Sequence, residues 1–172
     1  MIRRLLTPDY QVEHVGALRP EVLRRIGVDA LLLDVDGTLK RYRAVELPDD
    51  VVRWLRDLRA AGFGLCLVSN GMGRRIGRAA APLGLPVVTS ALKPLPLGCL
   101  RAVRRLGLPR RRTAMVGDQV FADVAAARLA GLLSILVRPI HPEEEPWPTR
   151  AKRPLERWWL RRLGPRPDPT AG

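Results

Sequence analysis

Apolar residues along this chain occur as short unbroken runs, alternating with segments in which they recur every third or fourth position. The runs at 30–33, 65–68, 87–88, 113–116 and 132–137 predict strands buried on both faces. Segments 20–26, 48–60, 73–83, 97–106 and 120–130 carry helical spacing. In 48–60 the inward stripe is Val51, Val52, Leu55 and Leu58, and in 73–83 it is Ile76, Ala79, Ala80 and Leu83. Pro20 stands where a helix starts; Gly27 and Gly62 stand where helices stop. Strict alternation without an internal repeat predicts an α/β fold, a single Rossmann-like doubly wound parallel sheet with right-handed crossovers. Residues 1–28 read as a basic arm with a short helix, 29–140 as the core, and 141–172 as a Pro- and Arg-rich tail. The tail is expected to be loop-like up to a helix over 153–163, with its last residues disordered.

Several apolar runs stop abruptly on polar residues, and those stops carry the chemistry. The first run continues as Leu33-Asp34-Val35-Asp36-Gly37-Thr38. In an extended chain Asp34 and Asp36 share one side, at the carboxyl end of the strand, where an open α/β sheet binds its ligand. Two carboxylates this close repel unless a cation lies between them, which implies a Mg²⁺ site. Gly37 permits a sharp turn, and Thr38 offers a hydroxyl and a backbone N–H to a phosphate oxygen. Taken alone, the same residues also read as an acidic turn with Asp36 capping a helix.

The later runs stop at Ser69-Asn70-Gly71, at Lys93-Pro94, and at Gly117-Asp118 followed by Asp123. If the strands are parallel, these side chains meet at one edge of the sheet. A hydroxyl and an ammonium then hold phosphate oxygens while four carboxylates divide nucleophilic, acid–base and metal duties. Singly, Ser69 reads equally as a strand end, Lys93 as a solvated charge and Asp123 as a helix-capping acid.

In order and spacing, these four motifs resemble the haloacid dehalogenase (HAD) superfamily of phosphohydrolases over residues 9–139. Within it, Leu6-Thr7-Pro8-Asp9-Tyr10, Ala81-Pro82-Leu83-Gly84-Leu85-Pro86, Ala91-Leu92-Lys93-Pro94-Leu95 and Val116-Gly117-Asp118-Gln119 resemble the YqeG-type subclass IIIA branch. That branch includes the phosphatidylglycerophosphate phosphatases of mitochondria and plastids; Gly37 departs from its Asn. The resemblance implies that Asp34 attacks phosphorus to form an aspartyl-phosphate and that Asp36 acts as acid and then base. It implies Mg²⁺ held by the Asp34 carboxylate, the Asp36 carbonyl, Asp118 and, directly or through water, Asp123. Lys93 and Ser69 would neutralise the transferring phosphoryl group, with Thr38 and Asn70 adding hydrogen bonds.

The segments between motifs are too short for an inserted cap domain, so the site is expected to be open and to suit a phosphate on a bulky carrier such as a lipid headgroup. Lys plus Arg outnumber Asp plus Glu by 30 to 17, for a formal charge of +13. That charge favours phosphorylated substrates, RNA or an anionic membrane, although GC-rich coding bias also enriches arginine. In the tail, Leu155, Trp158 and Trp159 fall on one helical face and Arg153, Arg157 and Arg161 on another. This reads as an interfacial helix on anionic lipid, or alternatively as a helix packing its Trp face on the domain.

Cys66 and Cys99 read as core residues of a reducing cytosol, and no signal peptide or membrane span is visible. The expected protein is thus cytoplasmic and peripheral at the inner membrane face, a Mg²⁺-dependent phosphatase of phosphatidylglycerophosphate. Two rivals stand beside it: a phosphatase of soluble sugar or nucleoside monophosphates, and a basic RNA- or ribosome-associated binding protein.

Overall fold

The computed structural model describes residues 2–71 and 73–171, without the side chains of residues 73–75, 79 and 82; the expected inward position of Ala79 lies outside the described residues. Its strands are β1 (Tyr10–Val12), β2 (Ala30–Leu33), β3 (Gly64–Val68), β4 (Val87–Val88), β5 (Thr113–Gly117) and β6 (Leu133–Val137). They form one sheet in the order β1-β6-β5-β2-β3-β4, and every paired neighbour is parallel. The α-helices are α1 (Ile2–Leu5), α2 (Pro20–Arg25), α3 (Asp49–Ala60), α4 (Gly73–Ala80), α5 (Leu97–Leu106), α6 (Ala125–Ala130) and α7 (Trp147–Leu163).

β2 is central and wholly buried because its alternating side chains serve two cores. Leu31 and Leu33 pack with Val51, Trp54, Leu55 and Leu58 of α3. On the other face Leu32, Cys66 and Met115 meet Cys99, Ala102 and Val103 of α5 and the small residues of α6. Each leucine so buried contributes roughly 1.5–3 kcal/mol. Both cysteines are buried free thiols, as expected. The register sets Leu33 opposite Leu67 and Val116, so the three central strands end level with one another. Asp34 continues that alignment, its N–H donating to the Val116 carbonyl at 2.9 Å.

The stretches between Asp36 and Ser69 and between Asn70 and Lys93 each hold one α-helix and one strand, so no cap is inserted among the described residues. No described helix is long and apolar enough to cross a membrane.

Three expectations change at the termini. The basic arm supplies an edge strand, β1, which three residues were too few to announce; it pairs with β6 from Tyr10↔Ile135 to Val12↔Val137. Within the terminal segment, expected to be disordered, Pro167 lies against β1, its carbonyl accepting the Gln11 N–H at 3.0 Å. The tail helix starts at Trp147 and does not present its arginines as one outer face. Arg153 turns inward with Glu156, and Trp159 donates its indole N–H to the Leu6 carbonyl at 2.9 Å. Leu155 and Trp158 remain exposed. Buried carboxylates beneath the helix attract the guanidinium, which is why charge patterning misplaced it.

Candidate active site

The carboxyl edge of the sheet gathers the side chains that the strand ends deliver. Asp34 follows β2, Ser69 follows β3, Asp118 follows β5, and Asp123 stands in a π-helical turn, Val120–Val124, that leads into α6. Carboxylate oxygens of Asp34, Asp118 and Asp123 lie within 4.8 Å of one another, and all three residues are buried. Lys93 reaches this cluster from the loop after β4. Its ammonium donates to Asp34 Oδ1 at 2.5 Å, Asp123 Oδ1 at 2.6 Å and the Val68 carbonyl at 3.2 Å, using all three of its N–H donors.

Glycine at 117 makes this convergence possible. A Cβ there would fall 2.2 Å from Asp123 Cγ, so any side chain would evict the carboxylate. Asp123 Oδ2 accepts the Gln119 N–H at 3.0 Å, which closes the turn around it. Gly37 has φ +88° and brings the loop after β2 over Asp118.

Three carboxylates against the Lys93 ammonium and the Arg153 guanidinium leave excess negative charge in a buried site. Burial, with Asp123 and Asp118 adding to it, pushes the Asp34 carboxyl up to about 8 against the pull of Lys93. Burial and Asp123 likewise push Asp118 up to about 6. Burial alone would depress Lys93, but Asp123 and Asp34 outweigh it and hold the ammonium firmly charged. A cluster of hard oxygen donors with surplus negative charge fits a divalent cation.

The remaining expected residues divide. The Thr38 hydroxyl donates to Asp118 Oδ1 at 2.9 Å and lies 3.4 Å from Asp34 Oδ2. Ser69 is buried, its Oγ accepting the Gly71 N–H at 3.0 Å. Asn70, expected to touch phosphate, clamps the Lys93 backbone with both ends of its amide, at 2.8 and 2.9 Å. The Asp36 carboxylate is not part of the three-carboxylate cluster: it pairs with Lys40, which stands opposite it in an isolated parallel bridge.

Sequence reading missed the support that comes from the tail. Arg153 is buried and places all five of its N–H donors. They reach the Asp118 carbonyl at 2.6 Å, the Asp118 carboxylate, Glu145, and Glu156 Oε2 at 2.9 Å. Glu156 Oε1 accepts the Phe121 N–H at 3.0 Å and so braces the turn that carries Asp123. Tyr42 accepts from Gln119 Nε2 at 3.3 Å, and burial together with the Asp118 and Asp34 charges pushes its phenol well up. No spacing rule links residues 118 and 153, so no local signal announces these contacts.

A parallel α/β sheet that gathers carboxylates and an ammonium at its carboxyl edge has the groups to hold a cation beside an anionic substrate. Residues 9–131 match the model of the haloacid dehalogenase-like hydrolases, and the chain belongs to that family. It is 29% identical to the probable phosphatase YqeG of Bacillus subtilis, over 91% of each chain. It is 30% identical to the chloroplastic phosphatidylglycerophosphate phosphatase 1 of Chlamydomonas reinhardtii, over 92% of this chain, but spans only 60% of that protein. The fold is also that of the cobalt-bound deoxy-D-mannose-octulosonate 8-phosphate phosphatase of Haemophilus influenzae, with a TM-score of 0.55, 19% identity and coverage of 67% and 70% of the two chains. The protein is a phosphoric monoester hydrolase of the HAD type.

Proposed function

We propose that this enzyme is a Mg²⁺-dependent phosphatase that forms an aspartyl-phosphate at Asp34 and acts on phosphatidylglycerophosphate. The observation that carries the chemistry is the meeting of Asp34, Asp118, Asp123 and Lys93 at an uncapped sheet edge. The likeness to the chloroplastic phosphatidylglycerophosphate phosphatase supports the lipid substrate.

Asp34, Asp118 and Asp123 would hold Mg²⁺, together with the Asp36 carbonyl. When bound, the ion supplies the positive charge that lets a phosphate dianion approach these carboxylates. An Asp34 oxygen attacks phosphorus in line, the P–O bond to the alcohol breaks, and Asp36 gives the leaving alkoxide its proton. Asp36 then takes a proton from water, whose oxygen attacks the acyl-phosphate and releases inorganic phosphate with Asp34 restored. Asp36 suits the proton-transfer role because its side chain is 28% exposed, whereas those of Asp34, Asp118 and Asp123 are at most 8% exposed, and it must part from Lys40 to act. Lys93 must exchange one of its three hydrogen bonds to meet a phosphate oxygen, and the Asn70 clamp keeps its backbone in place while it does so. The Ser69 and Thr38 hydroxyls would contribute the remaining phosphate contacts.

The test is phosphate release from phosphatidylglycerophosphate in mixed micelles, with and without Mg²⁺, beside a panel of soluble phosphate monoesters. Mg²⁺-dependent preference for the lipid is the expected result. Turnover of soluble esters alone would keep the chemistry and remove the lipid, and no turnover on any ester would favour a binding protein on this fold.

A further inference from the structure

Three of the exposed large apolar side chains flank the lysine of the site. Leu92, Leu95 and Leu97 are 55%, 50% and 51% exposed, while Lys93 between them turns inward to Asp34. Their segment follows β4 at the carboxyl edge of the sheet, so they stand on the rim that receives substrate. Leu92 adopts φ +57°, a left-handed conformation that glycine or asparagine takes more readily than leucine. The backbone is thus held unfavourably while it points a leucine at solvent.

Along the chain, the sequence on either side of this rim carries charge of one sign. No Asp or Glu occurs between Asp57 and Asp118, a stretch that carries one lysine and ten arginines. Arg101 of α5 stands against the leucines, its guanidinium donating to the Ser90 carbonyl at 3.1 Å and to the Leu97 carbonyl at 3.4 Å. Arg104 and Arg105 are exposed on the same helix.

We infer that the Leu92–Leu97 rim is a docking face for an anionic bilayer. The leucines enter the headgroup layer and the α5 arginines meet lipid phosphates, which holds the open site against a membrane-borne phosphomonoester. This rests on the lipid reading of the substrate and adds the surface that would deliver it. A bilayer matches both features at once, because its interface takes up leucine and its surface charge attracts arginine. A second copy of the chain across a two-fold axis would bring the same arginines face to face. RNA would leave the leucines without a role, since base stacking needs aromatic platforms.

The experiment is cosedimentation with vesicles of phosphatidylglycerol and phosphatidylcholine in equal parts, and with phosphatidylcholine alone, read without turnover. Wild type is expected to bind the anionic vesicles only. The variant L92N/L95S/L97S is expected to bind about a hundredfold more weakly, through the apolar area removed, with hydrolysis of a soluble monoester unchanged. Leu92→Asn alone suits the left-handed backbone and is expected to give a several-fold loss, which keeps the test valid if the triple variant fails to fold. A double variant of the tail helix, L155S/W158S, is expected to bind like wild type.

Vesicle binding unaffected by the leucine substitutions, or lost only in the tail variant, would overturn the proposal. So would a wild-type dimer that the leucine substitutions dissociate, or a preference for RNA over vesicles. A protein that docks through this rim yet spares phosphatidylglycerophosphate would keep the docking face and lose the substrate assignment.

Discussion

Arg153 of the tail helix and Asp118 at the end of β5 are bound twice, through the Asp118 carbonyl at 2.6 Å and through its carboxylate. The pair ties the last helix to the carboxylate cluster, and Glu145 and Glu156 complete the guanidinium's shell. Removing the cation would leave three buried carboxylates without their partner. Arg153→Ala is therefore expected to cost about 3–5 kcal/mol in urea denaturation and to weaken Mg²⁺ binding. Arg153→Lys keeps the charge but not the five-donor fork and is expected to fall between. Equal stability and Mg²⁺ affinity in all three proteins would show the contact to be incidental.

Asp34→Asn keeps the shape of the proposed nucleophile and removes its charge. Turnover is expected to fall on the order of 10⁴-fold or more in phosphate-release assays, with the thermal transition retained. Substantial residual activity would move the nucleophile elsewhere.

Gly117→Ala tests the close approach of Asp123 to β5. The added Cβ would lie 2.3 Å from Asp123 Oδ2, so the carboxylate must leave and Lys93 must lose a partner. The expected outcome is a destabilisation of about 1–3 kcal/mol together with weakened metal binding, measured by calorimetry with Mg²⁺.

Metal-free protein should lose stability as pH rises. The folded state retains protons on Asp34 up to about 8 and on Asp118 up to about 6. The unfolded chain releases both near the ordinary carboxylate value of about 4. Their contribution is thus full below that value and is lost as pH climbs through 6 and then 8. Melting temperatures measured in chelator should fall across this window, and Mg²⁺ should raise them most at its alkaline end. A chelated protein that melts higher at the alkaline end would contradict the charge balance described for the cluster.

Much of the site was legible in the chain because each motif sits where an apolar run stops. The expected parallel sheet brings Asp34, Ser69, Asp118 and Asp123 to one edge, and Lys93 joins them from its loop. Asn70 and Asp36 were harder to read: their positions follow from motif spacing, but their partners, the Lys93 backbone and Lys40, depend on how two loops close.

Sequence alone determined the alternation of strand and helix, the residues delivered to the strand ends, and the surplus of arginine. Those properties are local, since a two-faced buried strand needs an unbroken apolar run and a turn needs its glycine or polar stop. Only the tertiary structure decided that the arm becomes an edge strand, that Arg153 is an inward ligand of Asp118, and that the leucines beside Lys93 stay exposed while it turns inward. Each of these joins residues far apart in the chain, or depends on what covers a side chain, and desolvation and pairing energies exist only once the fold has brought the groups together.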